Sequence, residues 1–170
     1  MPAVIVGSTP KGTPADALPG TRTTGYNRDM PQFPSMDWCH SLVAVLEKEP
    51  ESLGALREWG GLSIGVIVTK GAGLSRDWCV YVKPHATDLK VEELRECEDA
   101  DDLELEEPDY LFQVPYAICK SLHAKKLDPM DVLTKGQVRV QGDMKKLLAL
   151  GQKYRAFGER ASDKVHTTFL

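Results

Sequence analysis

The 170-residue chain has four cysteines, Cys39, Cys79, Cys97 and Cys119, and no two of them stand at C-x-x-C spacing. No histidine sits at zinc-finger distance from any of them, so the sequence writes neither a zinc module nor a metal centre of that type. Each cysteine reads as a small buried hydrophobe, reduced as in a cytosol. Long apolar runs are missing too. Nothing approaches the roughly 18 residues that a membrane helix needs. The N-terminal run Ala3-Val4-Ile5-Val6 is too short for a signal-peptide core, and the expected location is cytoplasmic. A basic footprint is also absent: the formal net charge is -4, which argues against general nucleic-acid binding. The glycines in GVIVTKGAGLS, residues 65–75, lack the order of a phosphate loop and fit a hairpin turn instead. His40, His85, His123 and His166 are scattered, none beside a serine or cysteine at a catalytic spacing. Cys39 and His40 are neighbours on a helix, so their side chains diverge. The reading is of a protein that is not an enzyme, with no catalytic residue, no metal ligand and no cofactor.

The sequence does have apolar bulk and an uneven charge. Hydrophobic residues make up 42% of the chain, enough for one real core. From Glu92 to Asp109 there are eleven acidic residues and one arginine; from Lys120 to Leu170 there are eleven Lys or Arg and five Asp or Glu. The plain reading is an acidic solvated edge and a basic helical surface. The sharper one is a basic face, with Lys145, Lys146 and Lys153, that makes transient contact with anionic lipid headgroups or an acidic partner. Six of the eleven prolines and four glycines fall in residues 1–35. That stretch reads as an extended arm, with Tyr26, Met30, Phe33 and Pro34 anchoring its last part to the domain or to a second subunit. The domain itself is residues 36–170.

Order starts at Ser35, a good N-cap. Helices are expected over Met36 to Lys48 and Glu51 to Trp59, the second closed by Gly60-Gly61. Trp59 there reads as a core cap, with a ligand lid or interface anchor as the alternative. Leu62 to Lys70 and Asp77 to Lys83 form a β-hairpin, followed by a third strand over residues 88–97. Glu98 to Glu107 reads as an exposed acidic connection. Tyr110 to Val114 is the fourth strand, Pro115 to Ala124 a helix, and Asp128-Pro129 the cap and first residue of a short helix through Leu133. Gly136 opens the last strand, in which Val138 and Val140 share one face. Asp143 then caps a helix running to Phe157, with Met144, Leu147, Leu148, Leu150, Gly151, Tyr154 and Phe157 on one broad face. The two helices before the last strand read as a long crossover. The fold class is α+β: a mixed, mostly antiparallel sheet of about five strands, covered on one face by helices.

The run DYLFQVPYAICKSLHAKKLDPMDVLTKGQVRVQGDMKKLLAL, residues 109–150, resembles the C-terminal half of sterol carrier protein type 2 domains. In those domains a strand leads into a helix, a Gly-Lys-Leu-x-Pro-like turn, a short helix, a Gly-Lys-Leu-x-Ile-x-Gly-Asp/Asn strand and a final helix. Here the turn is Lys126-Leu127-Asp128-Pro129 and the strand runs from Gly136 to Asp143, with Gln137 in place of the usual lysine. The resemblance implies an apolar tunnel between sheet and helices, and non-catalytic binding and transfer of a fatty acid, fatty acyl-CoA or sterol-like lipid. The alternative is an accessory subunit that presents such a ligand to a partner enzyme, docked through residues 1–35, which also offer a homodimer contact. The tunnel lining is expected from Leu62, Ile64, Val66, Val80, Val138 and Val140 of the sheet and Ile118, Leu122, Met144, Leu147, Leu148 and Leu150 of the helices. The same apolar stripes also read as plain core packing.

Overall fold

The computed structural model describes residues 30–170. Residues 1–29, which hold most of the expected arm and its Tyr26, lie outside the described residues, and with them most of the expected partner or homodimer contact. In chain order the described elements are β1 (Gln32–Phe33), α1 (Met36–Leu46), α2 (Ser52–Trp59), β2 (Ile64–Thr69), β3 (Trp78–Pro84), β4 (Val91–Cys97), α3 (Ala100–Glu104), β5 (Tyr110–Pro115), α4 (Tyr116–His123), α5 (Pro129–Thr134), β6 (Arg139–Gln141), α6 (Met144–Lys153), α7 (Arg155–Lys164) and β7 (Thr168–Phe169). The caps are those expected. The Ser35 hydroxyl accepts from the Trp38 N–H at 3.1 Å, and the Asp128 carboxylate accepts from Met130 N–H at 2.8 Å. Gly60 ends α2 in the left-handed region, where an L side chain is strained.

Five strands form one sheet in the order β4-β3-β2-β5-β6. All neighbours are antiparallel except β2 and β5, which run parallel. The fold is therefore α+β with a mixed, mostly antiparallel sheet, as expected. The crossover expectation is corrected in one respect. β6 lies antiparallel to β5 although α4 and α5 separate them; the parallel neighbour of β5 is β2. The start of that parallel pair is clamped by a side chain. Asp109 Oδ2 accepts from the Ser63 N–H at 2.8 Å and from its hydroxyl at 2.9 Å, while the Ser63 oxygen accepts from the Asp109 N–H at 3.0 Å.

Cross-strand partners point to the same side of a sheet. Val80, Val66 and Phe112 are register partners, and so are Val140 and Phe112, which puts all four on one face. α1 and α4 pack there, in a cluster of Cys39, Val68, Leu74, Trp78, Val80 and Tyr116. Cys79, Ile67 and Leu111 lie on the other face, and this is where the acidic segment departs from expectation. Most of it is exposed, as expected, but it holds a short helix anchored by one buried side chain. Asp99 caps α3, its Oδ1 accepting from the Asp102 N–H at 2.9 Å, and Asp101 and Asp102 suit the positive end of the helix dipole. Leu103, fully buried at 0% exposure, seats α3 on Ile67, Cys79, Tyr81 and Leu111. Arg95, the segment's one arginine, donates to Asp102 at 3.4 Å and to Glu106. The Asp102 carboxyl is held below the usual carboxylate range by the Glu98 N–H, against partial burial and with help from Arg95. One buried apolar residue in a polar run carries no period, so the sequence pattern missed it.

The other differences lie at the ends. The long helix expected to reach Phe157 breaks at Tyr154 into α6 and α7, and the Tyr154 hydroxyl donates to Glu58 at 2.7 Å. α7 then buries Phe157 and Ala161. β1 and β7, neither of them expected, pair in parallel. Tyr116 joins them to the core: its hydroxyl donates to the Phe33 carbonyl at 3.2 Å and accepts from the Leu170 N–H at 2.7 Å.

Leu103→Ala is expected to lower unfolding stability by roughly 2–5 kcal/mol, read from the urea midpoint. A surface connection would lose almost nothing. Gly142, at φ +127°, has the Tyr110 ring 2.5 Å and the Asp109 carbonyl 2.8 Å from where a Cβ would sit. Gly142→Ala is expected to cost roughly 1–3 kcal/mol in the same assay, from backbone strain and overpacking together.

Candidate functional site

Helices cover the face that carries Val66 and Val80, and several residues on that face stay partly accessible. Val68, Trp78, Val80 and Tyr110 on that face are buried, but Ile64, Val66, Val82, Phe112, Val114 and Val140 are only half-buried. α6 shows the same looseness. Its apolar side offers Met144, Leu147, Leu148 and Leu150, all half-buried, and the helix has no fully buried residue. In a solid core these residues would lose nearly all contact with water.

A half-open pocket of about 750 Å³ lies between α4, the turn at residues 125–129, α5 and α7, and of the half-buried residues just named Val114 lines it. Val114 contributes from the sheet, Cys119 and Leu122 from α4, and Met130 and Leu133 from α5; Phe33, Trp38 and Phe169 close one end. The aromatic end is a packed group. Phe33 meets Trp38 edge-on with centroids 4.8 Å apart and Phe169 at 5.8 Å. His123 stands edge-on to Phe169 at 5.0 Å. Charged residues mark the side where α7 faces the turn. Lys125 donates to Asp163 at 2.7 Å, and Arg155 pairs with Asp128 and with Glu159, the latter at 3.1 Å. Partial burial works to raise the Asp128 carboxyl, but the Asp131 and Met130 N–H groups and the Arg155 guanidinium hold it below the usual range. Lys126 also lines the cavity and has no ion-pair partner among the described residues.

Of the twelve residues expected to line a tunnel, Leu122 lines this cavity. Ile64, Val66, Val80 and Val140 share the helix-facing side of the sheet by register, and Val138, just ahead of β6, is buried. Ile118 is a half-buried residue of α4, and Leu62 lies just ahead of β2, also half-buried. Met144, Leu147, Leu148 and Leu150 belong to α6, near the β6 edge of the sheet. Trp38, Leu127, Met130, Leu133, Tyr154 and Phe169 line the cavity and were outside the expected set. Met130 and Leu133 stand three apart on α5, a spacing that points both to one side, and Leu127 precedes them in the turn. For Phe169 and α7 the sequence carries no comparable signal.

The remaining candidates have structural partners. The Trp59 indole donates to the Leu62 carbonyl at 2.6 Å and its ring lies 4.8 Å from Tyr110. Lys146 donates to the Trp59 carbonyl at 3.0 Å and Lys153 pairs with Glu58, which leaves Lys145 as the exposed lysine of the three without a partner among the described residues. The cysteines are free thiols. Burial pushes Cys39 up to about 12 and Cys79 and Cys119 up to about 11, so they stay protonated at neutral pH and are poor nucleophiles. No helix of the described residues is long and apolar enough to cross a membrane.

Known proteins supply the comparison that this geometry calls for. The family described as the SCP-2 sterol transfer family matches residues 42–153. A solution structure from Thermus thermophilus, of a conserved hypothetical protein described as possibly a sterol carrier protein, superimposes with a TM-score of 0.59 at 13% identity, covering 79% of this chain and 90% of that one. A crystal structure of sterol carrier protein 2 superimposes with a TM-score of 0.50 at 16% identity, covering 76% of this chain and 93% of that one. At these identities the likeness is one of fold. No curated protein matches. The match over residues 42–153, on a fold with the same covered sheet, makes this chain a member of the SCP-2 sterol transfer family.

Proposed function

We propose that this protein binds and transfers a hydrophobic ligand, a fatty acid, fatty acyl-CoA or sterol-like lipid, without chemical conversion. The observation that supports the reading is the half-open, mostly apolar pocket of about 750 Å³ between α4, α5 and α7. Pockets for small ligands run from roughly 300 to 1,000 Å³, mostly apolar with a few polar groups that orient the ligand. Burying an acyl chain stabilises the complex by about 0.8 kcal/mol per CH₂, so a long chain is held firmly with no catalytic group at all. Lys126, without an ion-pair partner among the described residues, is the natural contact for a polar head. Lys145 is the residue on α6 best placed for transient contact with an anionic membrane.

Native mass spectrometry of freshly purified protein, with solvent extraction, is expected to show a stoichiometric lipid. Leu122→Trp is expected to fill part of the cavity and weaken a fluorescent fatty-acid probe about tenfold, the equivalent of excluding about two methylenes, while the thermal midpoint moves little. An empty protein that ignores the probe overturns the reading.

A second reading, presentation of the bound ligand to a partner enzyme, has one feature in its favour. Leu105 is 82% exposed and stands beside Glu104, Glu106 and Glu107. An apolar point on an acidic face is what a partner with a basic surface around an apolar hollow would cover. Leu105→Lys is expected to break such a complex and to leave probe binding unchanged; equal co-purification of the partner with both proteins counts against it.

A further inference from the structure

The pocket between α4, α5 and α7 is two-sided in its chemistry. Its apolar lining, Val114, Cys119, Leu122, Leu127, Met130 and Leu133, comes from the sheet, α4, the turn and α5, and each of these side chains is half-buried. α7 supplies nothing of the kind. Arg155, Gly158, Glu159 and Ser162 line the pocket at i, i+3, i+4 and i+7, so they form one side of the helix, and all four are exposed. The buried Phe157 and Ala161 fall on the opposite side of α7. At Gly158 an added Cβ would meet nothing within 4 Å, so no other part of the chain covers the helix backbone there. This polar wall starts at Arg155, beyond residue 153, where the family match ends.

The charges at the pocket balance. Lys125, Lys126 and Arg155 stand with Asp128, Glu159 and Asp163, three cations with three anions; His123 lies apart, against Phe169 at the aromatic end. Asp128 is fully engaged: its oxygens accept from the Met130 and Asp131 N–H groups and from Arg155. Lys125 uses one oxygen of Asp163 and Arg155 uses one oxygen of Glu159, which leaves Asp163 Oδ1 and Glu159 Oε2 without a partner among the described residues. The rim therefore offers carboxylate acceptors, the Lys126 donors and the Ser162 hydroxyl together. A ligand hydroxyl can donate to the first and accept from the second, whereas a carboxylate or phosphate can only accept and would meet two carboxylates near the lysine.

We propose that the pocket takes an uncharged lipid that is polar along one side, with two or more hydroxyl groups on the edge that faces α7. Its apolar side lies on the half-buried lining, and its hydroxyls reach Lys126, Glu159, Ser162 and Asp163. The inference rests on the lipid-carrier reading above and names the ligand class. A plain acyl chain would lie against the same lining but would leave the polar wall without hydrogen bonds from the ligand.

The test compares two neutral esters by displacement of a fluorescent fatty-acid probe. Methyl lithocholate has one hydroxyl; methyl cholate has the same skeleton with two more hydroxyls along one face. In a wholly apolar pocket the added hydroxyls would lose water without replacement, and methyl cholate would bind more weakly. Here it is expected to bind about tenfold more tightly, from two further hydrogen bonds. Ser162→Leu and Lys126→Met, both at exposed positions, are each expected to lower that ratio toward one. Hexadecanol is expected to bind at least as tightly as palmitate. If methyl cholate binds no more tightly than methyl lithocholate, if both variants keep the full ratio, or if palmitate outbinds hexadecanol tenfold, the proposal is overturned while the lipid-carrier reading stands. If the protein ignores the probe and all four lipids, the lipid-carrier reading fails and this ligand class fails with it.

Discussion

β2 and β5 run side by side over six residue pairs, from Ile64 opposite Tyr110 to Thr69 opposite Pro115. A parallel pair cannot be closed by a tight turn, because the chain must travel back the length of the strand before it can pair again. The residues between them make that return trip, and they do so as structure. β3 and β4 extend the sheet to one edge, and α3 crosses the far face on the anchor of Leu103. The Ser63–Asp109 clamp then sets where the pair starts. With β5 fixed, Pro115 and Tyr116 throw the chain onto the opposite face, and α4, α5, α6 and α7 all follow from that direction. β6 closes the second edge as an antiparallel neighbour. The two faces end up with different duties: one is packed against a short acidic helix, and the other is roofed by longer helices.

The roofed face is covered without being filled. Half-buried valines, a phenylalanine and an α6 with no buried residue leave apolar surface only partly covered. Such surface loses dispersion contacts that a packed core would have, and an apolar guest restores them. The ion pairs where α7 faces the turn do not lock the cavity. The Lys125 and Asp163 side chains are 66% and 54% exposed. Exposed pairs of this kind contribute about 0–1 kcal/mol, less than the burial of two methylenes. The aromatic end is held more firmly, because the buried Tyr116 hydroxyl must keep its partners, and those partners are the backbones of Phe33 and Leu170.

Much of the fold could be read directly. Ser35, Asp128 and Asp143 announce helix starts, Gly60 a helix end, and the alternation in residues 62–70 and 77–83 a hairpin, because these signals are local and each has one physical cause. α3 escaped because its single buried leucine sits in a run of carboxylates, and no period exists in one residue. The break at Tyr154 escaped because no proline or capping residue marks it and Gly151 and Gly158 lie within α6 and α7 rather than at the break, and only the position of Glu58 on α2 shows where the chain turns. β1 and β7 are two residues each and exist by pairing with one another across the length of the described chain.

The cavity divides along the same line. The chain alone determined that an apolar face would be offered by β2, β3, β6, α4 and α6, since the period of a strand or helix fixes which residues share a side. It also carries neither the zinc-finger spacing nor the phosphate-loop pattern, both of which are fixed spacings that can be read directly. Whether that face would be packed solid or left hollow was decided only in three dimensions. Volume depends on how far α4, α5 and α7 stand from the sheet, and that distance is set by contacts between residues far apart in sequence: Trp38 with Thr167, Tyr116 with Phe33 and Leu170, Lys125 with Asp163. Local pattern says which side a residue faces; only the packing of remote elements says how much room is left there.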